Sequence, residues 1–130
     1  MEIKSNHSTG NRPDGERILD APYVFTDIPS YLEQLKSEKS WVKNDRNAIT
    51  VFKSDKITIV VAVLKSGAVV NDHAIDECLT FQVISGELKV ETEGRTFYTT
   101  PGQMMTFHAK HKHSILALAD SEIIITTYKG

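Results

Sequence analysis

The feature that most restricts this chain is a change of period at Asn47. From there to Tyr128, short apolar stretches recur every few residues, and turn-forming pairs separate them. The turn signals are Ser54-Asp55, Ser85-Gly86, Glu93-Gly94, Pro101-Gly102 and Asp120-Ser121. The spacing predicts strands at Ala48–Lys53, Lys56–Leu64, Leu79–Ile84, Glu87–Thr92, Arg95–Thr100, Met104–Phe107, Ser114–Ala119 and Glu122–Tyr128. That many short strands in about eighty residues call for an all-β sandwich or barrel. Before them, Ile28, Tyr31, Leu32 and Leu35 fall at i, i+3, i+4 and i+7 on one helical face. Asp27 is placed to cap that helix, and Pro29 is tolerated in its first turn.

Three segments follow from this pattern: 1–17 as a flexible polar tail, 18–46 as a lead-in with a short helix, and 47–130 as the β-barrel domain. A helix of about ten residues is marginal alone, so its stripe must pack on something larger. The strand at 56–64 supplies a surface for it. Ile57, Ile59, Val61 and Val63 alternate with Val60, Ala62 and Leu64, so both faces are apolar. A strand open to water on one side should be polar there. The outer face is therefore covered, either by the N-terminal helix or by a second subunit, and a homodimer is the expected assembly.

Charge and composition exclude several function classes. The net charge is -2, with 25% charged residues, and no basic run interleaves with aromatics. Nucleic-acid and anionic-membrane partners, which need clustered positive charge, are not expected. The single cysteine, Cys78, permits neither an internal disulfide nor a thiolate zinc cluster. The sequence contains no apolar run of about 20 residues and no signal-like segment, so it reads as cytoplasmic.

The stretch from Gly67 through His73, Ile75 and Leu79 to Gly86 resembles the first motif of the cupin superfamily, G(X)5HXH(X)3-4E(X)6G. The stretch from Gly102 through His108, Lys110 and His113 to Ala117 resembles the second, G(X)5PXG(X)2H(X)3N. The resemblance implies a cupin-type antiparallel β-barrel or jelly roll behind the short N-terminal helix. It places His73 and His113 at the first and last metal-ligand positions. Ile75 and Leu79 stand where the family has its second histidine and its glutamate. The standard metal site is largely dismantled, because neither aliphatic side chain can donate an electron pair.

Two chemical readings follow. In the first, His73 and His113 are the polar contacts of a small-molecule pocket lined by Ile75, Leu79, Phe81, Val83 and Ile115. In the second, His73, His113 and His111 form a repaired site for iron, zinc, manganese or nickel, and the chain is an oxygenase or isomerase. His111 and His113 would share a face in extended backbone. A third reading makes the barrel a packed structural or regulatory module with no ligand. The first is the better expectation, with no cofactor certain and the specific ligand left open.

Overall fold

The computed structural model describes residues 2–71 and 76–130, with the side chain of Asn71 set aside. In chain order the elements are β1 (Lys4–Asn6), β2 (Arg17–Asp20), α1 (Ile28–Ser37), α2 (Lys39–Lys43), β3 (Arg46–Lys53) and β4 (Ile57–Leu64). There follow β5 (Val69–Asn71), β6 (Cys78–Ser85), β7 (Leu88–Thr92), β8 (Arg95–Thr99), β9 (Met104–Phe107), β10 (Ser114–Ala117) and β11 (Ser121–Tyr128). The β-strands form a five-stranded sheet in the order β3-β4-β11-β6-β9 and a four-stranded sheet in the order β5-β10-β7-β8. A two-stranded ribbon, β1-β2, stands beside them. All the strand pairs are antiparallel.

The two large sheets face each other across one core. Phe81, Val83, Ile123, Ala62 and Phe107 come from the five-stranded sheet. Leu88, Val90, Ile115 and Ala117 meet them from the other. The register aligns these inward positions: Ile125 lies opposite both Val60 and Phe81, and Ile115 lies opposite both Val70 and Val90. Alternation along each strand sends these side chains to one face, as a jelly roll requires.

The opposite face of the five-stranded sheet carries a second apolar layer, and α1 covers it. Leu32 and Leu35 pack on Ile49, Val51, Val61 and Val63, with Ile28, Tyr31 and Trp41 at the margin. Leu35 is fully buried. The helix is thus one cover of the doubly apolar β4. The helix starts as its sequence specifies: the Asp27 side chain accepts from the Ser30 N–H at 3.3 Å, and proline follows in the first turn.

Three strands lie where the sequence shows no strand period. β5 has three residues and forms by pairing with β10. β1 is polar and exposed, β2 buries only Leu19 and Asp20, and their ribbon runs beside β3. The segment that follows β1 is tied to the domain by Arg12. Its guanidinium bonds both Glu38 carboxylate oxygens at 3.1 and 3.0 Å, and it donates to the Ala48 carbonyl at 2.7 Å. No helix among the described residues is long and apolar enough to cross a membrane.

Candidate functional site

The β7–β8 hairpin and the loop leading into β10 meet at one end of the barrel. The hairpin turns through Glu93 and Gly94, both at positive φ (50° and 76°), the conformation that two-residue hairpins require. Two contacts hold the β10 approach loop onto this turn. The Thr92 hydroxyl donates to the Lys112 carbonyl at 2.8 Å, and His111 Nδ1 lies 2.7 Å from Glu93 Oε1. Thr92 and Lys112 are twenty residues apart, and no local pattern marks the pairing.

These restraints set the position of His113. It immediately precedes β10, and the period that sends Ile115 and Ala117 inward sends His113 inward as well. The residue is 7% exposed. Its ring stacks on Phe107 with centroids 4.4 Å apart and planes 16° apart. Phe107 in turn stacks on Phe81 at 6.1 Å. His113 Nδ1 lies 3.4 Å from the His111 carbonyl oxygen. An imidazole is thus embedded in an apolar stack, where its nitrogens need polar contacts to offset desolvation.

His113 also reaches the wall of an open cleft of about 450 Å3. Glu91, Glu93, Arg95 and Lys112 contribute charges of both signs to that cleft, and Thr92 and Ser114 contribute hydroxyls. The volume falls within the range of small-molecule sites, roughly 300–1,000 Å3. Sequence reasoning named His113 here but none of the acidic or basic groups. They lie on a hairpin tip and a loop that resemble ordinary solvated turns.

The other residues read from the sequence divide into three groups. Phe81, Val83 and Ile115 are buried in the core shared by the two sheets. Leu79 is half-buried and packs against that core. His111 and His108 are exposed, and His111 is engaged by Glu93 rather than by His113's ring. His73 and Ile75 lie outside the described residues. The two imidazoles read as a pair are therefore described only for His113.

The donor set can be tested against a mononuclear metal centre. Leu79 projects into the core at the position where the resemblance calls for a glutamate, and a leucine offers no lone pair. Among the described residues, no group of three or more His, Cys, Asp or Glu side chains is placed to hold an ion. These residues do not fit a metal with three protein ligands.

No family model matches the sequence, and no curated protein matches it either. Solved structures do. A cupin superfamily protein from Desulfitobacterium hafniense superposes with a TM-score of 0.64 at 15% identity, covering 67% of this chain and 80% of that one. A conserved Streptococcus pyogenes protein of unknown function gives 0.67 at 16% identity, covering 86% and 91%. Salicylate 1,2-dioxygenase from Pseudoaminobacter salicylatoxidans, as a mutant, gives 0.59 at 17% identity, covering 65% of this chain but only 27% of the dioxygenase. At such identities the likeness concerns the fold.

Proposed function

The chain has the cupin fold, and from that premise we propose that it binds a small polar molecule at the end of the barrel, with His113 as the central polar contact. The observation that carries this reading is His113's double position. Its ring is stacked within the core, and it also borders a cleft of about 450 Å3. The lining of the cleft is polar, with His113, Thr92, Thr96 and Ser114 among the charged side chains. Glu91, Glu93, Arg95 and Lys112 at the rim favour a ligand that carries hydrogen-bonding groups of both polarities. Phe81, Val83 and Ile115, expected from the sequence as pocket wall, pack instead in the core behind His113, and Leu79 packs against that core; His73 and Ile75 lie outside the described residues.

Metal-dependent catalysis is the second reading, supported by the dioxygenase that shares the fold. Leu79 stands against it, because it removes a ligand that no described residue replaces. Two measurements separate the readings. Elemental analysis of protein prepared without a histidine tag should find no stoichiometric iron, zinc, manganese or nickel. Native mass spectrometry against a panel of small carboxylates and amino acids should find a 1:1 complex that His113→Ala weakens about tenfold or more. A near-stoichiometric metal, or a complex indifferent to His113→Ala, overturns the binding reading.

Self-association is part of the proposal, on grounds different from those in the sequence. With α1 packed on the apolar sheet face, the most exposed large apolar side chains among the described residues lie in the segment between β2 and α1. Tyr23 and Phe25 there are 89% and 90% exposed. Paired exposed aromatics of this kind mark interaction surfaces.

A further inference from the structure

A second cleft lies away from the barrel end, where the N-terminal segment folds against α2. It holds about 250 Å3 and is bounded by Asn6, His7, Thr9, Arg12, Arg17 and Ser40, among others. None of its lining residues is an aspartate or a glutamate.

The charges around it do not balance. Arg12 is paired with Glu38, whose carboxylate also accepts from Asn47 at 3.1 Å and Gln34 at 3.2 Å. Glu38 is thereby fully engaged. Arg17 has only neutral acceptors, the carbonyls of Thr50 at 2.7 Å and Gly15 at 2.5 Å. Among the described residues, no carboxylate pairs with it. Burial lowers its proton affinity and the neighbouring Arg12 charge lowers it further, outweighing the opposing pull of Tyr31 and Glu38. A half-buried guanidinium whose hydrogen-bond partners are all neutral is costly, and an anion in the cleft would offset that cost.

We propose that this cleft binds a small oxyanion of the phosphate class, held by Arg12 and Arg17 with Thr9, Ser40 and His7 as supporting donors. With Arg12 Nε and Nη2 and Arg17 Nε and Nη1 already engaged, the remaining Nη N–H groups, Arg12 Nη1 and Arg17 Nη2, are the ones that would donate charge-assisted bonds to the anion. The volume sets the size. It lies below the roughly 300–1,000 Å3 of sites for larger ligands. Inorganic phosphate or a short phosphorylated metabolite fits, and a nucleotide does not. The two arginines come from sequence positions that carry no phosphate-loop pattern. The β1–β2 ribbon and the Thr9–Arg12 turn bring them together.

Isothermal titration calorimetry on the full chain tests this, with sodium phosphate as titrant and ionic strength held constant with sodium chloride. A saturable 1:1 isotherm is expected, and Arg17→Gln should weaken it about tenfold or more. Lys43→Gln removes the same charge outside the cleft and should leave the affinity within about twofold. If circular dichroism shows that Arg17→Gln does not fold, Thr9→Val and Ser40→Ala carry the test, each weakening phosphate several-fold. Glycerol phosphate as a second titrant distinguishes the sources: tighter binding identifies a phosphorylated metabolite, and equal binding identifies free phosphate. The proposal is overturned if no saturable heat appears at millimolar phosphate. It is equally overturned if the cleft variants bind like the wild type, or if Lys43→Gln weakens binding as much as they do.

Discussion

Replacing Gly86 by alanine tests whether the closed end of the barrel depends on one close approach of backbone to backbone. Gly86 lies where the chain leaves the five-stranded sheet at the end of β6 and crosses to β7 in the four-stranded sheet. Its φ is +88°, and a Cβ there would lie 2.2 Å from Ser121 Oγ, 2.5 Å from the Asp120 carbonyl oxygen and 2.7 Å from Ser121 Cα. Two of those three atoms belong to backbone, so no rotamer change relieves the contact. The left-handed conformation costs about 1–2 kcal/mol for an L-residue. Overpacking at a rigid site adds about 1–3 kcal/mol. Displacing Ser121 also breaks its bonds, for its hydroxyl donates to the Ala119 carbonyl at 2.8 Å and accepts from the Glu87 N–H at 3.2 Å.

Gly94 is the internal control. Its φ is +76°, but a Cβ there meets nothing within 4 Å. Gly94→Ala should therefore cost only the conformational part, about 1–2 kcal/mol. Gly86→Ala should cost about 2–5 kcal/mol, which lowers Tm by roughly 7–18 °C for a chain of this size. Urea denaturation followed by far-UV circular dichroism measures both. Equal losses in the two variants would refute the argument, because the contact with Ser121 and Asp120 would then contribute nothing.

Two further expectations concern Glu38 and assembly. Burial raises the Glu38 carboxyl's proton affinity, but hydrogen bonds from Arg12, Asn47 and Gln34 outweigh it and hold the group below its ordinary value. A depressed carboxylate contributes stability that is present above its unfolded pKa, about 4.3, and is lost as pH falls through the lower folded value. The stability difference between wild type and Glu38→Gln should therefore be flat near neutrality and shrink below about pH 4.3. A difference that grows on acidification would contradict the assignment. Light scattering at micromolar concentration should return twice the 14.5 kDa chain mass. Tyr23→Ser with Phe25→Ser should return the single mass, and a monomeric wild type ends the self-association proposal.

Strand periodicity carried most of the barrel. All eight expected strands exist, with ends displaced by at most two residues, because alternating burial is recorded in the side chains themselves. β5 was not legible, since Val69–Asn71 is too short to show a period and is a strand only through its bonds to β10. α2 was missed for a related reason. It is a five-residue continuation after α1 breaks at Glu38, with no buried residue to give it a stripe. At the candidate site, His113 was legible from its motif position, but its neighbours Glu91, Glu93, Arg95 and Lys112 were not. Charged residues in turns look alike in sequence whether they bound a cleft or face open water.

By itself, the sequence determined that this chain forms antiparallel strands behind one amphipathic helix, and that leucine stands where the resembled motif has its glutamate. Those properties are local: a period, a cap and a side chain's chemistry survive in any context. Only the tertiary structure decided that α1 packs its stripe on β3 and β4. It alone brought Arg12 and Arg17 to one cleft and set His113 between the core and the surface. These outcomes depend on contacts between residues far apart in the chain, and nothing in a local stretch encodes which distant partner will close against it.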